Sequence, residues 1–203
     1  AQTRVGNLTC ENLSEPRGID DLHPRFSWQL LSSGRGVRQT AFEIRVFQNN
    51  SLVWSSGKQM SDRSVFVAYN GSPLLSGEHY SWQVRVWDQQ SKASAWSTLA
   101  HFQMGMLASS AWKAAWIESS QEIENAERPA HYFRKPFFSK GKIRSATAFL
   151  TAHGLYEAQL NGKRIGEDYL SPGWTSYNHR LPYQTYDVTS LLRAGEKIGR
   201  AHV

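Results

Sequence analysis

Residues 155–192 read LYEAQLNGKRIGEDYLSPGWTSYNHRLPYQTYDVTSLL, and the turn residues inside this run decide what it can form. Asn161-Gly162 divides two alternating segments. A type I′ turn needs positive φ at both central residues, and Asn-Gly supplies it, so the stretch predicts a β-hairpin. Residues 171–178 follow as a loop of turn formers that carries Trp174 and Tyr177, where no strand core can easily bury them. Residues 181–188 predict another strand. Thr189 as N-cap and Gly195 as C-terminal stop then frame a single helical turn.

Immediately upstream, residues 131–138 and 143–151 also alternate. Pro136 cannot donate to a ladder, so the first of these is expected to be an edge or interrupted strand. Residues 128–203 thus hold five or six strands by pattern. That is most of a jelly-roll-like sandwich, an architecture of roughly eight strands.

The first half repeats the short-strand pattern. Strands are expected at 4–10, 25–31, 40–48, 51–55, 64–69, 79–88 and 98–104, with turn-rich pieces such as Asn70-Gly71-Ser72-Pro73 between them. Seven short strands at this spacing predict an immunoglobulin-like or fibronectin type III sandwich. Phe26, Trp28 and Leu30 share one face; Phe42, Ile44 and Val46 another; and Tyr80, Trp82, Val84 and Val86 a third. Leu75 and Tyr80 around Ser76-Gly77-Glu78 resemble a tyrosine corner. Trp87 and Trp96 fall off the inward pattern and are expected to pack against a neighbouring domain. The chain is therefore read as all-β: a sandwich over 1–105, a linker over 106–127 with Trp112 and Trp116 as anchors, and a partial jelly-roll-like domain over 128–203. Residues 121–128 are expected to be a surface loop.

Composition narrows the function. With 40% hydrophobic and 20% charged residues the chain can bury a core. A formal charge of +6 is compatible with an acidic glycan or nucleic acid. The cations are scattered and no nucleic-acid reading motif accompanies them, so no nucleic-acid partner is expected. The lone Cys10 allows no intrachain disulfide. No apolar run is long enough to span a membrane, and no membrane insertion is expected. Asp20-Asp21 and His23 read as solvated turn residues rather than metal ligands.

Taken together, the motifs are similar to the N-terminal modules of bacterial α-L-rhamnosidases. Pro172-Gly173-Trp174-Thr175-Ser176-Tyr177 and Tyr183-Gln184-Thr185-Tyr186-Asp187-Val188-Thr189 agree in order and spacing. Gly18-Ile19-Asp20, Pro24-Arg25-Phe26-Ser27-Trp28, Gln39-Thr40-Ala41 and Tyr80-Ser81-Trp82-Gln83-Val84-Arg85-Val86-Trp87-Asp88 resemble that family's fibronectin-like first domain. The resemblance implies an inverting glycoside hydrolase that releases terminal L-rhamnose. It also implies that the acid and base lie in an α/α barrel outside these residues, so no catalytic residue is carried over. The expected role is accessory: docking against that catalytic domain, with rhamnose-containing glycans or glycosides as partners. A secreted or periplasmic location follows from the resemblance, and Ala1-Gln2-Thr3 is compatible with an end left by signal cleavage. Ile198-Gly199-Arg200-Ala201-His202-Val203 also matches one reading frame of a sequencing adapter, and residues 198–203 are expected to be a non-native tail.

Aromatic faces pack on the C–H faces of sugar rings, and amides bond the hydroxyls. Trp174, Tyr177 and Asn178 offer that mixture on one loop, with Tyr156 and Asn161 as neighbours on the hairpin; a structural loop that buries its Trp against the following domain is nevertheless the favoured reading, since large apolar residues are usually inside. Glu157 and Asp168 stand on opposite arms of the hairpin, yet carboxylates on a sheet are ordinarily solvated, and none is assigned a catalytic role. No cofactor is required. Some relatives of the second module bind L-rhamnose with calcium, which keeps calcium open there; the six to eight oxygen ligands it needs are not assembled by these positions. Two other readings stand beside the accessory one: a free-standing carbohydrate-binding module, and a structural or adhesive two-domain protein.

Overall fold

Alternation places every second side chain of a strand on the same face, and in the first half that face is strongly apolar. A computed structural model describes residues 3–120, 130–139 and 141–192, with the backbone of Lys197–Ile198 and Arg200–His202. The chain divides into two units, Ala1–Lys113 and Ala114–Val203. The expected loop over 121–128 and the stop at Gly195 lie outside the described residues.

The first unit holds β1 (Arg4–Cys10), β2 (Arg25–Leu31), β3 (Gln39–Gln48), β4 (Ser51–Ser55), β5 (Val67–Ala68), β6 (His79–Asp88) and β7 (Ala100–Gln103). They form two antiparallel sheets, ordered β1-β2-β5 and β4-β3-β6-β7. The sheets share one core. Phe26 of β2 stacks on Trp82 of β6 with centroids 4.4 Å apart, and Tyr80 stacks on Phe102 at 5.4 Å. Ile44, Val46, Val84 and Val86 fill the space between and are buried. Each such side chain contributes about 1.5–3 kcal/mol by leaving water.

Polar atoms inside this unit are matched to partners. Trp28 Nε1 donates to Gln39 Oε1 at 3.0 Å, and the Gln39 amide donates to the carbonyls of Ser61 and Arg63 at 3.1 and 2.9 Å. The expected tyrosine corner forms: the Leu75 N–H donates to the Tyr80 hydroxyl at 3.0 Å. The strand expected over 64–69 shortens to Val67–Ala68, because Phe66 adopts φ 53° and breaks the extended run.

Trp87 and Trp96 find partners within their own unit. Arg45 lies 4.4 Å from the Trp96 ring centroid, Arg85 lies 4.7 Å from Trp96 and 4.9 Å from Trp87, and Lys58 caps Trp87 at 4.6 Å. Buried Glu43 balances the ladder, accepting from Arg85 at 3.0 and 2.6 Å and from Arg45 at 3.2 Å. The hydroxyls of Ser94 and Ser97 accept the N–H groups of Val86 and Val84, both at 3.1 Å, which ties the segment carrying Trp96 along β6.

The second unit holds β8 (Tyr132–Phe133), β9 (Phe137–Phe138), β10 (Thr147–Leu150), β11 (Glu157–Leu160), β12 (Lys163–Arg164), β13 (Gln184–Asp187), β14 (Lys197–Ile198) and β15 (Arg200–His202). Its sheets run β10-β13, β12-β11-β15-β8 and β14-β9. The interruption expected at Pro136 separates β8 from β9. The β11–β12 hairpin turns on Asn161 and Gly162 at φ 52° and 75°. Its buried core comprises Ala158, Ile165 and Val188, with Leu150, Leu160 and Tyr186 packed against them. Thr189 opens a single 3₁₀ turn, Thr189–Leu191, but does not cap it; its N–H and hydroxyl both donate to the Asp187 carboxylate, at 2.9 and 2.6 Å. Among the described residues no helix is long and apolar enough to cross a membrane.

Candidate functional site

Backbone pairing brings the aromatic loop to the start of β11. The Tyr156 N–H donates to the Ser171 carbonyl at 2.8 Å. From there the chain departs from ordinary strand geometry: Leu170 sits at φ 57°, the Ser171–Pro172 peptide is cis, and Gly173 sits at φ 94°. A bulky residue at positive φ is unusual, and such positions gather where a loop's shape serves function. Trp174, the residue after Gly173, is 91% exposed.

The rest of the loop is fastened. The Thr175 hydroxyl donates to the Arg180 carbonyl at 2.5 Å, and the N–H groups of His179 and Arg180 donate to the Ser176 carbonyl at 2.8 and 2.9 Å. Tyr177 points back into the unit. Its ring lies parallel to His153, with centroids 5.1 Å apart and 5° between planes, and its hydroxyl accepts the Gly154 N–H at 3.0 Å. His153 in turn meets Trp116 at 4.6 Å. Asn178 stands exposed on the turn.

The five sequence-derived site residues therefore separate by role. Trp174 and Asn178 face solvent, and Tyr177 anchors the loop. Tyr156 is half-buried and donates to Gln184 Oε1 at 3.0 Å; burial, with a contribution from Tyr186, holds its phenol well above the ordinary tyrosine range. Gln184 reaches the Pro172 carbonyl at 3.4 Å, so Tyr156 supports the loop from beneath. Asn161 lies at the far end of β11, about 17 Å from Tyr156 at 3.4 Å per residue. Its amide donates to the Leu191 carbonyl at 3.0 Å and serves the hairpin. Sequence reasoning leaves His153 among scattered histidines and treats Trp116 as a linker anchor; no periodic signal links either to Tyr177.

The hairpin carboxylates have partners of their own. Glu157 accepts from the Gln159 amide at 3.1 Å and lies 3.8 Å from Arg164, while Asp168 accepts the Tyr186 hydroxyl at 3.1 Å. Arg164 donates to the Asp168 carbonyl and covers the Tyr169 ring at 4.1 Å. Among the described residues no group of three or more His, Cys, Asp or Glu side chains is placed to hold a metal ion. The loop carries an exposed indole at Trp174 and, further along it, the exposed side chains of Asn178, His179 and Arg180.

Comparison with known proteins places this geometry. Residues 5–108 match the model for the Rha78A-like N-terminal immunoglobulin domain, and residues 141–203 match the model for the alpha-L-rhamnosidase N-terminal domain. The chain belongs to the α-L-rhamnosidase family. It is similar to an α-L-rhamnosidase of Formosa agariphila, 36% identical over 200 residues that cover 92% of this chain and 22% of the relative. The solved α-L-rhamnosidase of Dictyoglumus thermophilum superposes with a TM-score of 0.86 at 32% identity, covering 98% of this chain and 25% of that one. That of Aspergillus terreus gives 0.81 at 31% identity, covering 99% and 24%. The chain thus spans about a quarter or less of the length of these family members, and corresponds to their N-terminal portion.

Proposed function

We propose that this chain is a non-catalytic accessory portion of an inverting α-L-rhamnosidase, acting outside the cytoplasm, that supports the catalytic domain and presents rhamnose-containing glycans through the 171–180 loop. The observation that carries the sugar-binding part is Trp174. A Trp left 91% exposed on a loop whose other members are fastened by hydrogen bonds is a preformed stacking face. Large apolar side chains are ordinarily inside, and Tyr169 and Leu170, a few residues earlier in the chain, are also exposed, at 80% and 73%; exposed apolar groups of this kind support an interaction site where they form one patch. Support for the accessory part comes from the short share of each family member that the chain spans, and from the commitment of Glu157 and Asp168 to structural partners.

The test has two arms. Purified chain is incubated with an aryl α-L-rhamnoside, and no aglycone is expected; release at a rate proportional to protein would overturn the accessory reading. Calorimetric titration with L-rhamnose is expected to give saturable heat that Trp174→Ala abolishes. Silence in both proteins would leave a structural scaffold as the reading.

A further inference from the structure

Six residues beyond Trp174 the same loop carries an exposed cation that has no counter-charge among the described residues. Arg180 is exposed, and among the described residues its guanidinium makes no ion pair or side-chain hydrogen bond. The arginine of the neighbouring hairpin behaves differently: Arg164 is taken up by Glu157, the Asp168 carbonyl and the Tyr169 ring. The carboxylates nearest Arg180 in the chain are also engaged elsewhere, Asp168 by Tyr186 and Asp187 by Thr189.

The turn sets where this cation stands. The bond from the Thr175 hydroxyl to the Arg180 carbonyl closes the loop, so Arg180 leaves the backbone beside the residue that follows Trp174. Both Arg180 and His179 are further held through the Ser176 carbonyl. Asn178, His179 and Arg180 are all exposed on this turn. An exposed indole and a guanidinium unpaired among the described residues are thereby carried on one closed loop.

We propose that this loop recognises an anionic glycan, in which the sugar stacked on Trp174 neighbours a residue bearing a carboxylate or sulfate that Arg180 binds. The proposal rests on the reading of Trp174 as a sugar platform. A planar guanidinium presents two parallel N–H groups that match the spacing of carboxylate or sulfate oxygens, and an unpaired one gains most from such a partner. The formal charge of +6 favours approach of an acidic polymer. An exposed ion pair is worth modest energy, so the effect belongs to selectivity among glycans.

The experiment uses the full chain and three probes: L-rhamnose, an oligosaccharide of alternating L-rhamnose and D-galacturonate, and the same oligosaccharide after its carboxyl groups are reduced to alcohols. A sulfated rhamnan in parallel distinguishes sulfate from carboxylate. At low salt the acidic oligosaccharide is expected to bind about two- to fivefold more tightly than its reduced form, the range of an exposed ion pair. That preference is expected to vanish in Arg180→Gln and to shrink in 1 M salt, where the Debye length is about 3 Å. Binding of the reduced form is expected to be unchanged in Arg180→Gln. The proposal is overturned if charged and reduced forms bind alike, if the preference survives in Arg180→Gln, or if it is lost instead in Arg134→Gln/Lys135→Gln. A protein that binds none of the probes overturns the sugar-platform reading as well, whereas binding of neutral sugar without anion preference overturns this proposal alone.

Discussion

The ring of Tyr177 lies parallel to His153 at 5.1 Å while its hydroxyl accepts the Gly154 N–H at 3.0 Å. The loop that exposes Trp174 is therefore tied to the segment preceding β11 by one residue, through both a ring face and a hydroxyl. Preorganisation of this kind lowers the entropy lost when a ligand orders a loop.

Tyr177→Phe keeps the stack and removes the hydrogen bond; Tyr177→Ala removes both. The first is expected to weaken the loop's hold by about 1 kcal/mol, the typical net worth of a hydrogen bond. Hydrogen exchange at residues 171–180 should rise in Tyr177→Phe and rise further in Tyr177→Ala. Equal protection in all three proteins would show that the loop holds itself.

On the outer face of the first unit, Arg85 serves buried Glu43 and two indole rings together. Arg85→Met keeps most of the volume and removes the charge. Arg45 remains 3.2 Å from Glu43, so the loss is expected to fall below that of an unpaired buried carboxylate, at about 2 kcal/mol. Urea unfolding should report this, and Glu43→Gln/Arg85→Met should recover part of it. A double variant as unstable as the sum of its parts would contradict the pairing.

Glu11 gives a pH signature. Hydrogen bonds from the Arg25 side chain, at 3.0, 3.2 and 2.5 Å, hold its carboxyl below the ordinary glutamate range. A carboxyl lowered on folding adds stability above its unfolded value, about 4.3, and that stability is lost as pH falls through the folded value. The pair is open to solvent on the Arg25 side, so its contribution at neutral pH is small. Glu11→Gln should be less stable than the wild type at pH 7, and the gap should close in acid. A gap that widens in acid would reverse the assignment.

Most of the first unit is legible in sequence because its long strands carry large apolar residues at alternate positions, most clearly Tyr80, Trp82, Val84 and Val86 of β6. β1, β2, β4 and β6 have the bounds the pattern implies, and Tyr80 meets Leu75 as its spacing suggests. Where the pattern runs short the structure trims it: Phe66 at φ 53° cuts the strand before Val67, and residues 181–183, with Pro182, stay outside β13. The cation–π ladder is invisible to pattern reading, since Arg45, Lys58, Arg85 and Trp96 come from separate segments and meet only after the sheet assembles. At the candidate site, the turn formers of 171–178 place Trp174 and Tyr177 alike outside any strand core, and the pattern does not tell which of the loop residues is exposed. It does not separate the exposed Trp174 and Asn178 from Tyr177, Tyr156 and Asn161, whose polar atoms are engaged by partners distant in sequence.

The most direct measurement is the indole N–H region of a ¹⁵N-labelled sample titrated with L-rhamnose. The chain carries eight Trp, and Trp174 is assigned by its absence in Trp174→Ala. The Trp174 signal is expected to shift saturably while those of the buried first-unit tryptophans, Trp28 and Trp82, stay fixed. A spectrum unchanged at saturating sugar, or one in which another indole moves and Trp174 does not, would contradict the sugar platform at Trp174.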